Sequence, residues 1–201
     1  TSSGVIAIFL SGIKLTHIFL GTGLVIGAIP LLWSYMYEYQ KSRILSFFSP
    51  NTDALGSGYH LAQSKISLGS GGLFGKGYMN GTQSQLDFLP ENHTDFIFSA
   101  FGEEFGFFGV FILITLYVLV ALRGMSISIK ATDNFSRILS ATLILTIFLY
   151  VLVNVGMVVG ILPIVGAPLP FMSYGGTSML TVFAALGIIM SIKSHQRLMR
   201  K

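Results

Sequence analysis

The middle of this chain holds the residues whose types and spacing suit chemistry. Asp95 stands in the stretch LPENHTDFIF, which starts at Leu89. Pro90 halts whatever precedes it, and Thr94 reads as the N-cap of a helix through Phe96, Ile97, Ala100 and Phe101. Asp95 then has two readings. In the first turn of a helix an acid complements the macrodipole. At a membrane boundary beside aromatic residues it is desolvated, and a carboxylate so placed suits general-base work. His93 lies two residues earlier, where a hydrogen-bonded loop residue and a substrate ligand are both open readings. Glu103 follows Asp95 by eight residues, about 12 Å along a continuous helix. Ordinary glycosidases hold their carboxyl pair roughly 5–9.5 Å apart, so a local two-carboxylate hydrolase is disfavoured. Acids near a membrane need partners. Lys65 or Lys76 offers one to Glu103 and Glu104.

Gly69 to Gly77 reads GSGGLFGKG. A phosphate-binding loop of the Walker type needs Gly five residues before Gly75 and Ser or Thr after Lys76. Ser70 and Gly77 stand there, so both tests fail. Two readings remain: a backbone nest that holds an anion with help from Lys76, and a turn lying against the membrane. Just before it, Tyr59 to Leu68 reads as a short helix with Leu61, Ile66 and Leu68 apolar and His60, Gln63, Ser64 and Lys65 polar. It suits a helix resting on the membrane or the polar wall of a headgroup cavity.

The elements that position these residues follow from composition. Of 201 residues, 52% are hydrophobic and only 10% charged, against about 25% charged in a soluble domain. That excludes an ordinary water-soluble globule. Disorder is excluded as well, because apolar content is high and the net charge is only +4. There is no cysteine, which rules out disulfides, thiol catalysis and cysteine-bound metals. The class is an all-α polytopic membrane protein, a helical bundle with one large outer loop.

Residues 1–11 look like a helix stub whose beginning is missing, with no basic region that would mark a signal peptide. Apolar runs at 18–36, 105–122, 138–159 and 178–192 are long enough to span a bilayer. Lys14, then Arg123, Lys130 and Arg137, then the tail 193–201 with Lys193, Arg197, Arg200 and Lys201 fall on one side under strict alternation. Short basic loops stay in the cytoplasm. The uncharged turn Gly160 to Gly176 and the segment 37–104 then lie outside. That segment carries seven of the eight acids, so the chemistry is expected there. Pro163, Pro168 and Pro170 keep the turn non-helical, and such backbone must be covered by protein or line a cavity. Asn154, mid-span, is expected to bond to another helix or to face that cavity, the interhelical role being the first reading.

Taken in order, these motifs resemble the SEDS family (shape, elongation, division, sporulation). They are YQKSRILSFFSP from Tyr39, GYHLAQSKISLGSGGLFGKGY from Gly58, GTQSQLDFLPENHTDFIF from Gly81, GEEFGFFG from Gly102 and GILPIVGAPLPFMSYGGTSML from Gly160. QSQLDFLP and GAPLP are closer to the elongation branch, RodA, than to the division branch, FtsW. The resemblance implies the second half of a ten-helix fold and a peptidoglycan glycosyltransferase, a hexosyltransferase that polymerises lipid II at the outer face of the bacterial inner membrane. It implies that Asp95 is the essential aspartate and general base. Asn92 replaces the family's usual basic residue before HTD. Substrate contacts are then expected from Lys65, Lys76, Gln83, His93, Glu103, Ser173 and Tyr174. A divalent cation, magnesium or manganese, and no organic cofactor are implied. The partners implied are lipid II, a class B penicillin-binding protein, elongation machinery of the MreC and MreD type, and membrane lipids, with no nucleic acid. Gly156 and Gly160, four apart, suggest a close-packing face for that partner. The rival readings are a flippase for the lipid-linked precursor, which needs no catalytic base, and a scaffold that recruits a transpeptidase.

Overall fold

The computed structural model describes residues 2–12, 15–38, 40–41, 44–45, 57–85 and 94–199. Its elements are α1 (Ser2–Leu10), α2 (Leu15–Tyr35), α3 (Ser57–Ser70), the short α4 (Thr82–Gln85), α5 (Ile97–Ile129), α6 (Asn134–Val159) and α7 (Gly176–Met199). Among the described residues, Ile97–Ile129, Asn134–Val159 and Gly176–His195 are long and apolar enough to cross a membrane. The chain is a multi-pass helical membrane protein. In α2, Phe19–Tyr35 is a shorter apolar stretch with its side chains largely exposed.

α6 is the central helix, with α1, α3, α5 and α7 packed around it. Its ends are set by local chemistry. Asp133 caps the start, its carboxylate accepting the Ser136 N–H at 2.9 Å, and that bond holds the Asp133 carboxyl below its usual range. Gly160 ends it in the left-handed conformation, where its N–H reaches the Gly156 and Met157 carbonyls. α5, α6 and α7 run alternately up and down, joined at one end by the turn around Lys130 and at the other by residues 160–175. Phe96, Phe98, Val151, Met157, Val158 and Leu169 form the core at the Asp95 end. Ile127, Ile144 and Ile189 form a second core nearer Lys130. Lys14 and Arg200, used above to set sidedness, lie outside the described residues.

The short helix expected over 59–68 is α3, two residues longer at each end. Of its expected apolar set, Leu61 is buried and Ile66 exposed, while Ser64 of the polar set is buried. Leu61, Ser64 and Ser67, three apart, are its buried face against α5 and α6. Ser64 Oγ lies 3.0 Å from the Val158 carbonyl, and Ser99 Oγ donates to the Ser64 carbonyl at 2.7 Å. Small hydroxyls allow close approach while satisfying main-chain groups.

α5 is not continuous. At Gly106 the backbone takes φ 65° and ψ −165°, a conformation essentially confined to glycine. The glycine-rich loop fills the break. Lys76 N–H and Gly77 N–H donate to the Glu103 and Glu104 carbonyls, both at 3.0 Å. Phe107 N–H and Phe108 N–H donate to the Gly72 and Leu73 carbonyls at 2.9 and 3.2 Å. Four main-chain groups freed by the break are thereby paired. A methyl group at Gly106 would stand 2.2 Å from Gly75 N, so the contact is backbone against backbone.

Candidate active site

Asp95 sits in the turn 94–96, ahead of α5 rather than in its first turn. The expected Thr94 cap is not made. Phe96 flanks the helix start with no side-chain cap. The Thr94 carbonyl instead accepts the Ser173 hydroxyl at 2.6 Å, and Ser173 Oγ in turn accepts the Leu169 N–H at 2.7 Å. The next carbonyl, that of Asp95, accepts Asn154 Nδ2 at 2.9 Å. The same Asn154 amide donates to the Ala167 carbonyl at 2.7 Å. Asn154 and Ser173, 0% and 2% exposed, thus staple the Asp95 turn to α6 and to the proline-rich loop. Beneath the turn, Phe96 and Phe98 are buried in the core, and the Tyr117 hydroxyl donates to the Pro170 carbonyl.

Asp95 is half-buried on an open pocket of about 580 Å³ shared with Thr94, Pro168, Tyr174, Gly175, Thr177 and Ser178. An adjoining hollow of about 350 Å³ shares Pro168, Thr177 and Ser178 and reaches Tyr150, Thr181 and Val182. The pocket mouth includes the N-terminus of α7, the positive end of a helix.

A second polar centre surrounds Glu103, which has no solvent exposure. Oε1 accepts Lys76 Nζ at 2.7 Å and the Thr82 N–H at 2.8 Å. The Gln83 N–H lies 3.1 and 3.2 Å from the two carboxylate oxygens. Ser67 Oγ donates to Oε2 at 3.2 Å. Lys76 also reaches Thr82 Oγ1 at 2.8 Å. The partner left open by the sequence is therefore Lys76. The anion beside the glycine-rich loop is the protein's own Glu103. The N–H groups of Gly75, Lys76 and Gly77 are bonded to the carbonyls of Gly71, Glu103 and Glu104. That replaces the reading of this loop as a nest for a bound anion.

The predicted site residues thus fall into groups. Asp95 and Tyr174 come together at the pocket, with Ser173 buried behind it against the Thr94 carbonyl. Lys76, Gln83 and Glu103 come together in the buried centre. Lys65 lies apart, its side chain over Gly160, where an added methyl would stand 2.2 Å from Cε. A cation there complements the C-terminus of α6. Gly156 faces the Leu162 side chain. Neither glycine of the expected partner face is open, because the chain's own side chains fill both. His93 and Asn92 lie outside the described residues. Sequence reasoning passed over Thr177 and Ser178 as pocket residues. Their signal was a hydroxyl pair directly after two glycines at a helix start. Among the described residues, no three His, Asp or Glu side chains converge.

The FtsW, RodA and SpoVE family model of cell cycle proteins matches residues 1–198. The chain belongs to this family, that of the SEDS proteins. It is 49% identical over 200 residues to the peptidoglycan glycosyltransferase MrdB of Escherichia coli K12, covering 99% of this chain and 54% of that protein. It is 44% identical over 158 residues to the peptidoglycan glycosyltransferase RodA of Treponema pallidum, covering 79% of this chain and 36% of that one. A Geobacter relative named as a probable FtsW follows at 37%, with 96% of this chain and 52% of the relative covered. A chain from a solved peptidoglycan synthase complex superposes with a TM-score of 0.79 at 26% identity, covering 97% of this chain and 54% of that chain. The chain thus spans about half the length or less of these relatives.

Proposed function

We propose that this chain is the Asp95-bearing half of a RodA-type peptidoglycan glycosyltransferase that polymerises lipid II. The observation that carries the reading is the Asp95 turn, fixed at both carbonyls and set at the edge of an open pocket. The higher identity to relatives named MrdB and RodA than to one named FtsW favours the elongation branch.

The chemistry needs one base. A sugar hydroxyl must lose its proton as it attacks the anomeric carbon, and Asp95 takes that proton. The hydroxyl oxygen forms the new glycosidic bond while the bond from that carbon to the lipid pyrophosphate breaks. The lipid pyrophosphate leaves as an anion and needs no acid to protonate it. The start of α7, with Thr177 and Ser178, faces that growing negative charge. A divalent cation, when bound, would neutralise more of it. The residues fit such an ion only as a hard cation held by the Asp95 carboxylate with pyrophosphate oxygens, since magnesium commonly takes one or two carboxylates plus phosphates. Tyr174, 82% exposed at the pocket, is placed to meet a sugar ring. Ser173 and Glu103 act from within the protein.

By the positive-inside rule, Lys130 and the tail are cytoplasmic and the Asp95 end is extracytoplasmic, in a bacterial inner membrane. A class B penicillin-binding protein would cross-link the strands, alongside MreC and MreD. The test is polymerisation of purified lipid II by the full-length protein, wild type against Asp95→Asn. Loss of product with normal folding supports the reading. Near wild-type polymer from the variant refutes Asp95 as the base.

A further inference from the structure

The break at Gly106 creates a surface that catalysis does not use. Main-chain bonds tie the loop that starts at Gly72 into α5. Its large side chains project outward, and they are apolar: Leu73, Phe74, Tyr78 and Met79 are 62%, 80%, 73% and 60% exposed. They meet aromatic residues of α5. Phe74 stacks on Phe108 with ring centroids 5.3 Å apart, and Tyr78 tilts against Phe105 at 6.5 Å. Phe107 stacks on Phe111 at 6.4 Å. Phe107, Phe108 and Phe111 are exposed and belong to a helix apolar enough to cross a membrane. The patch is therefore continuous with the exposed apolar surface of α5. Its other border is polar, with Lys76 and Thr82. Tyr at the end of a membrane helix marks the headgroup level, and Tyr78 stands there among the phenylalanines.

We propose that residues 72–79 form a membrane-interface anchor, with Leu73, Phe74, Tyr78 and Met79 seated between lipid headgroups and acyl chains beside the apolar run of α5. The occupant is lipid. Because the backbone is already fixed to the helix break, seating these side chains orders little further chain. The anchor sets the height of the Glu103 centre relative to the bilayer.

The test uses the full-length protein in nanodiscs of phosphatidylethanolamine and phosphatidylglycerol. Phe74→Cys carries a bimane fluorophore, any cysteine elsewhere being replaced by serine. None occurs in these 201 residues. Labels at Ile112, on the exposed apolar face of α5, and Asn80, at the loop end, serve as references. Lipids brominated high in the acyl chain should remove most fluorescence at Phe74, as at Ile112, while aqueous iodide quenches Asn80 far more. Tyr78→Cys repeats the measurement should the first variant fold poorly. Iodide quenching at both sites equal to that at Asn80 overturns the proposal. So does protection of both from either quencher, which would mean that protein covers the loop.

Discussion

Asp95 and Glu103 are eight residues apart, yet their surroundings are opposite. Glu103 is sealed, its oxygens met by Lys76, Thr82, Gln83 and Ser67. Asp95 stands on an open pocket, and Asn154 and Ser173 grip the main chain at and beside it. Surroundings rather than residue type separate an acid sealed inside the protein from one set at a pocket and proposed as the base. A carboxylate saturated with donors has little reason to take up another proton, and no substrate can reach it. A residue whose backbone is clamped at the edge of a pocket keeps its place there.

The largest effect expected from this contrast is kinetic. Asp95→Asn should lower lipid II polymerisation by about 10²–10⁴-fold, the usual contribution of a general base, with an unfolding midpoint near wild type. An equal loss of stability would erase the distinction between the two acids. Glu103→Gln should do the reverse, costing about 3–5 kcal/mol of stability, as breaking a buried charge pair does. Denaturant unfolding in detergent would measure it. Lys76→Met should cost a similar amount, and the double variant less than the sum, because the two residues share one interaction. Gly106→Ala comes next. Its backbone conformation is strained for any side chain by about 1–3 kcal/mol, and its methyl would meet Gly75 N. Limited proteolysis between residues 70 and 80 should accelerate. Ser173→Ala is the smallest, removing a hydrogen bond of about 0.5–1.5 kcal/mol. It should lower kcat more than it raises KM, since it loosens the Asp95 turn. A change in KM alone would mean that Ser173 serves binding instead.

Much of the fold was legible because a membrane demands long apolar helices and leaves few alternatives. The family was legible from several long motifs in fixed order. What stayed hidden depended on the break at Gly106. From spacing alone, Lys65 and Lys76 were equal partners for Glu103. Only the docking of the loop into α5 brings Lys76 within reach and sends Lys65 to the end of α6. The same break explains the glycine-rich loop, whose N–H groups serve a helix instead of an anion. Thr94 misled for a related reason. Capping rules weigh local bonds, whereas the carbonyl of Thr94 is claimed by Ser173, far away in sequence. Gly156 and Gly160 misled because sequence does not reveal that Leu162 and Lys65 fold back over them.

The four main-chain bonds at the break have a consequence for dynamics. They form two reciprocal pairs between segments far apart in the chain, so none can open alone without straining the next. If the loop lifts, the carbonyls of Glu103 and Glu104 and the amides of Phe107 and Phe108 lose their partners together. Docking is therefore an all-or-none event with its own opening free energy. Hydrogen–deuterium exchange should register it as one cooperative unit, with the amides of Lys76, Gly77, Phe107 and Phe108 sharing one protection factor although they lie on two different elements.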